Sequence, residues 1–146
     1  MVEMGEQRQT GILNRLKNGF KHIPLAVGLV FYSYGFLWTL KPRRIGTMKD
    51  VFELFYIRFL RLEREHVEIL ELTDRELVTV SINPCPILRL TLILGMDTRY
   101  TCRLVSETVC RHVLKRMDPK LVFERDYSHI RPYGDGCLER ILLKNA

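Results

Sequence analysis

The chain has no cysteine before position 85, no Cys-x-x-Cys pair, no run of five or six like charges and, from His22 to Leu40, no charged side chain. Each absence removes a class of protein. Without Cys-x-x-Cys or a Cys/His pair at finger spacing, the thiols do not form a closed zinc module. Without a basic run or a recognition motif, the positive surplus does not make a nucleic-acid-binding protein. The opening residues, Met1-Val2-Glu3-Met4-Gly5-Glu6, are acidic and polar, unlike an export signal. No low-complexity segment breaks the chain.

What is present is 146 residues, 47% hydrophobic and 27% charged, with formal net charge +6. That balance fits one globular domain over residues 1–146, with an N-terminal helical segment (1–46) and an α+β core (47–146). Diffuse positive charge favours anionic ligands or surfaces in general. Four cysteines without an export signal point to free thiols in a reducing compartment, and a cytoplasmic location is expected.

The uncharged stretch from His22 to Leu40 touches the length of a membrane span. A helix over 24–40 would be roughly 26 Å long against a hydrocarbon core of roughly 30 Å. Basic residues flank both ends (Lys17 and Lys21; Lys41, Arg43 and Arg44), so no charge asymmetry orients it. A buried helix or a homodimer interface is the favoured reading, and membrane association is the alternative.

Apolar spacing at Ile12, Leu13, Leu16 and Phe20 predicts a first helix over Gln7–Phe20. Pro24 suits the first turn of the second helix, which Pro42 ends. Thr47 can cap a third, running to about Glu65, with Asp50 in its first turn. Val67–Leu72 and Glu76–Asn83 read as a hairpin around Thr73-Asp74-Arg75. In its second half Val78, Val80 and Ile82 face one way, and Leu77, Thr79, Ser81 and Asn83 the other. Pro86 starts a short helix that Gly95 closes, and Asp97 caps a longer one from Thr98 to about Met117. Leu121–Tyr127 and Cys137–Lys144 read as a second strand pair. The expected fold is α+β: a four-stranded antiparallel sheet of two hairpins packed with about five helices.

All four cysteines fall in the last third of the chain. Cys85 lies between two prolines at a helix start, where the dipole favours a thiolate; equally, the prolines set a turn and Cys85 packs as a small hydrophobe. Glu107 stands three residues before Cys110 and four from both Arg103 and Arg111, so it either joins an exposed ion-pair ladder or turns inward as a ligand-binding carboxylate. The loop from Ser128 to Gly136 gathers His129, Arg131, Tyr133 and Asp135 before Cys137, with Gly134 and Gly136 permitting positive φ or close backbone approach. No cofactor is expected. A zinc ion assembled in space from Cys85, Cys110 and Cys137 is the alternative use of the thiols.

At Cys85-Pro86, Glu107-x-x-Cys110 and Gly134-Asp135-Gly136-Cys137 the chain resembles the L-2-amino-thiazoline-4-carboxylic acid hydrolase family, over roughly residues 48–144. Members often continue with Asp-Phe-Arg after the last cysteine, where this chain has Leu138-Glu139-Arg140. The element order also looks like the 4-vinyl-reductase-like small-molecule-binding domains and the related vesicle-tethering subunits. The resemblance implies a pocket between sheet and helices, and a C–N hydrolase acting on a small carboxylate-bearing heterocyclic or amide substrate. In that reading Arg131 holds the carboxylate with His129 and Tyr133 beside it. Glu107 or Asp135 positions or activates water, and Cys85, Cys110 or Cys137 lines the pocket or attacks. The alternatives are a non-catalytic module enclosing an apolar ligand, and an interaction protein that uses the apolar helix over 24–40.

Overall fold

Pro24 sits in the first turn of α1 (Ile23–Thr39), where its missing N–H would have had no helical partner. The computed structural model describes residues 22–145, so the helix expected over Gln7–Phe20 lies outside the described residues. Among them are four helices rather than about five, together with the four-stranded antiparallel sheet: an α+β architecture.

Helix α2 begins at Met48 with a capping box. The Asp50 N–H donates to Thr47 Oγ1 at 3.3 Å, and the Asp50 carboxylate accepts from the Gly46 and Thr47 N–H groups at 2.8 and 2.9 Å. Those two bonds hold the Asp50 carboxyl below its ordinary range. The helix continues past Met48–Phe52 as wider π turns, Glu53–Phe59, and stops well short of the expected Glu65. Arg61 takes a φ of 55°, Leu62 N–H returns to the Tyr56 carbonyl at 3.0 Å, and a 3₁₀ turn over Arg64–His66 leads into the sheet. The backbone reversal at Arg61 ends the helix; no change of side-chain periodicity announces it.

Strands β1 (Val67–Leu72) and β2 (Glu76–Ser81) form the first hairpin; β3 (Leu121–Arg125) and β4 (Cys137–Leu143) form the second pair. The spatial order is β1-β2-β4-β3, which makes β3 an edge strand. Leu77, Thr79 and Ser81 turn toward the helices, with Glu139 and Ile141 of β4 and Leu121 and Phe123 of β3. Val78 and Val80 take the opposite face, half-buried. Three polar side chains, Thr79, Ser81 and Glu139, are therefore buried on the core side.

Helix α3 (Pro86–Ile93) is followed by Gly95, whose φ of +64° only glycine adopts without strain. Asp97 then caps α4, a continuous helix made of Thr98–Thr101, π turns over Cys102–Glu107 and Thr108–Met117. Arg99, its backbone N–H and the Tyr133 hydroxyl bring the Asp97 carboxyl down to about 2. Between β3 and β4, of the two uses open to Gly134 and Gly136, positive φ or close approach, neither glycine takes the first. Gly136 is needed for space instead: a Cβ there would lie 2.4 Å from Val80 Cγ1.

The core forms where Phe55, Phe59, Val113, Leu114, Phe123 and Ile141 meet. Helix α1 approaches α4 through Gly35, where a Cβ would stand 3.0 Å from Val113 Cγ2 and 3.1 Å from Val109 Cγ1. Tyr34 and Trp38 pack on the Phe59 ring, both at 5.2 Å between centroids. One side of α1 is thus buried; Leu29, Val30 and Leu37 on the other are 71%, 72% and 64% exposed. No described helix is long and apolar enough to cross a membrane.

Candidate functional site

Arg125 and Glu139 are cross-strand neighbours on β3 and β4, and both point under the helix layer. Their side chains are each 6% exposed, and Arg125 Nη2 lies 3.0 Å from Glu139 Oε1. The other carboxylate oxygen accepts from the Tyr56 hydroxyl at 2.8 Å, which in turn accepts from Thr79 Oγ1 at 2.9 Å. Arg125 Nη2 also donates to Ser106 Oγ at 3.1 Å. A buried polar chain thus runs Thr79–Tyr56–Glu139–Arg125–Ser106. Burial alone would depress the Arg125 guanidinium; the Glu139 carboxylate more than reverses that, so Arg125 stays charged. Burial, and then Glu139, push the Tyr56 hydroxyl well up, so it remains a donor.

Arg125 is not saturated. Its Nε and Nη1 are shielded from solvent and have no partner among the described residues. The side chain also forms part of the wall of an open cleft between edge strand β3 and α4. Arg103, Glu107, Thr108, Arg111, Glu124 and Tyr127 complete that cleft, whose volume is about 450 Å³.

The π turns of α4 set its rim. The Thr108 hydroxyl bonds back to the Arg103 and Leu104 carbonyls at 3.2 and 3.1 Å, bracing the wide turn. Glu107, 12% exposed, accepts from the Tyr127 hydroxyl and pairs with Arg111 at 2.5 Å. Burial, and then Glu107, raise the Tyr127 hydroxyl above its ordinary range. Arg103 lies 4.2 Å over the Tyr127 ring rather than pairing with Glu107.

The other expected site residues fall in two further places. Cys137, two positions before Glu139, shares the inner row of β4. Its sulfur accepts from Arg131 Nε at 3.4 Å. Arg131 also donates from Nη1 to the Asn83 carbonyl at 2.5 Å and from Nη2 to Asn83 Oδ1 at 3.4 Å, so all three of its nitrogens are engaged. Cys85 is the N-cap of α3, half-buried, and its side chain makes no capping bond. It and Cys137 lie near Cys102, whose thiol burial raises to about 11. Cys110, expected at the edge of the apolar face, is fully buried, and its thiol is pushed up to about 12 by burial. It keeps its proton.

His129, Tyr133 and Asp135 are exposed on the loop over 126–136, away from the buried chain. His129 faces Asp126 at 3.3 Å; the Tyr133 hydroxyl donates to Asp97 at 3.1 Å, with Arg99 at 4.4 Å over its ring. The loop acts as a clasp. Buried Ile130 anchors it, and Thr98 Oγ1 donates to the Arg131 carbonyl at 2.9 Å. The zinc arrangement is not formed: Cys85, Cys110 and Cys137 do not bring their sulfurs within ligating distance of one another. Among the described residues the one group of three with ligand atoms so close, within 4.8 Å, is Glu63, Glu65 and His66 on the surface.

The motif reading found Glu107 and paired it with Arg111, but passed over Arg125, Glu139, Tyr56 and Tyr127. Period-two alternation carries a signal for two of them, since Arg125 follows Leu121 and Phe123, and Glu139 precedes Ile141, on the same strand faces. Comparison with family models, with curated proteins and with solved structures found no match to this chain.

Proposed function

We infer that the protein is a non-catalytic binding module for a compact anion, a small carboxylate or phosphate, held in the cleft between β3 and α4. The single observation that carries this reading is Arg125, a buried cation with two unpartnered donors at the wall of an open cleft. Both donors are shielded from the cleft, so an anion there feels the Arg125 charge across a thin wall rather than through a direct bond, and Glu139 pairs with that charge through Nη2 only. Arg103 and Arg111 stand at the rim and add charge, while Tyr127 offers a flat apolar wall. The resemblance to a family acting on a ring carboxylate supports the same ligand class.

Hydrolysis of such a ligand is the second reading. One observation favours it, the guanidinium of Arg131 against the sulfur of Cys137. Binding is preferred because Cys110 is buried and protonated and Arg131 already has three partners.

The test is thermal shift and calorimetry of the full chain with inorganic phosphate, short mono- and dicarboxylates and a thiazoline carboxylate. At least one anion is expected to raise the unfolding temperature, less so at high salt. Arg103→Ala and Arg111→Ala should each weaken its affinity about tenfold while leaving the unliganded protein folded. The reading fails if no anion binds, or if binding is indifferent to both substitutions. Release of product from the ring carboxylate, abolished by Cys137→Ser, would select hydrolysis.

A further inference from the structure

Helix α1 buries only half its circumference. Pro24, Gly28, Gly35 and the rings of Phe31, Tyr34 and Trp38 turn inward. At about 100° per residue, that leaves Leu25, Leu29, Val30, Phe36, Leu37 and Leu40 on the far side. Their exposures run from 45% at Phe36 to 72% at Val30. A strip a little over four turns long, apolar but for Ser33, is far more than the scattered apolar side chains of an ordinary surface.

Two independent features say what covers it. The first is hydrogen bonding. Ser33 Oγ donates to the Leu29 carbonyl and Thr39 Oγ1 to the Phe36 carbonyl, both at 2.8 Å. The Ser33 and Thr39 hydroxyls are therefore satisfied by the backbone of α1 itself, as an apolar medium requires. The second is charge. No acidic side chain occurs between His22 and Lys49. Lys41 and Arg44 are exposed just beyond the helix, and Lys17 and Lys21 precede it in the sequence. Acidic residues gather instead around the β1 hairpin, at Glu63, Glu65, Glu68, Glu71 and Asp74.

The geometry points to α1 as a helix that lies in the plane of an anionic lipid surface. Its uncovered leucines, Val30 and Phe36 enter the acyl boundary, and Lys41 and Arg44 just beyond its C-terminal end meet the headgroups. The helix does not span the bilayer, since its other half is packed on α4 and α2. Pairing with a second copy fits less well. A parallel α1 pair sets Lys41 and Arg44 of one copy beside the same residues of the other. The proposal is independent of the anion cleft.

Sedimentation of the full chain with vesicles tests it, comparing pure phosphatidylcholine with phosphatidylcholine containing about 30% phosphatidylserine. Binding is expected on the anionic vesicles and much less on the neutral ones. The double substitution Leu29→Gln/Leu37→Gln should weaken it about tenfold or more without lowering the unfolding temperature. Lys41→Glu/Arg44→Glu should remove the preference for anionic lipid. The proposal is overturned if the wild-type chain stays in the supernatant with anionic vesicles, or if Leu29→Gln/Leu37→Gln binds them unchanged. It is overturned equally if light scattering shows a wild-type dimer that those two substitutions convert to a non-sedimenting monomer.

Discussion

Two consecutive rungs of one ladder carry the same chemistry with opposite consequences. Arg125 faces Glu139 across β3 and β4, and the next pair along is Glu124 with Arg140. Each rung is one arginine and one glutamate. The first points into the core, with both side chains 6% exposed and 3.0 Å between nitrogen and oxygen. The second points to water, with Arg140 48% and Glu124 50% exposed at 3.9 Å, and Arg140 shared with Glu76. The difference is solvent. Outside, water screens both charges and the pair adds little beyond cross-strand register. Inside, each charge depends on the other and on Tyr56 and Ser106, because water no longer substitutes for a lost partner.

Removing one partner from each rung tests that contrast most strongly. Glu139→Ala should lower stability in urea unfolding by about 3–5 kcal/mol, while Arg140→Ala should cost no more than about 1 kcal/mol. Similar losses would erase the distinction between the faces. Replacing the inner pair together, as Arg125→Met/Glu139→Leu, should cost less than Glu139→Ala alone, since no orphan charge is left.

A milder probe keeps both charges and withdraws one donor. Tyr56→Phe deprives Glu139 of the 2.8 Å bond and Thr79 of its acceptor, and should cost about 1–2 kcal/mol by the same measurement. Deleting an outer-face side chain of similar size should not match it.

The last probe has no effect at neutral pH and sharpens the comparison only as pH rises. The Cys110 thiol, ordinarily near 9.0, is raised to about 12 in the fold. For an acid whose folded pKa is raised, the unfolded chain releases its proton first. Stability is therefore intact below pH 9 and declines as pH climbs toward 12. Cys110→Ala should reduce that slope, the remainder belonging to Cys102, Tyr56 and Tyr127, and in the intact fold Cys110 should be the slowest thiol to label.

Much of the secondary structure was legible because its signals are local. Pro24, Pro86 and Gly95 mark helix ends through their backbone, Thr47 and Asp97 through side-chain caps, and strand β1 matches its expected bounds. The early end of α2 was not legible, because Arg61 has no glycine-like marker for its positive φ. The candidate site was half legible. Glu107 and Arg111 are one helical turn apart, a relation that spacing reveals. Arg125 and Glu139 are adjacent only through strand register, and Tyr56 reaches them from another layer. His129, Tyr133 and Asp135 drew attention by clustering in the chain, yet the loop that holds them faces outward.

By itself the sequence determined where most elements start and which residues share a strand face. Alternation divides β2 into Val78 and Val80 against Leu77, Thr79 and Ser81, and nothing local says which set is inside. Only the packing of α2 and α4 decided it. A buried Tyr56 hydroxyl needed acceptors and donors, Thr79 and Glu139 supplied them, and the polar set went in while the valines went out. The choice is tertiary because a hydrogen bond buried between layers exists only once both layers are in place.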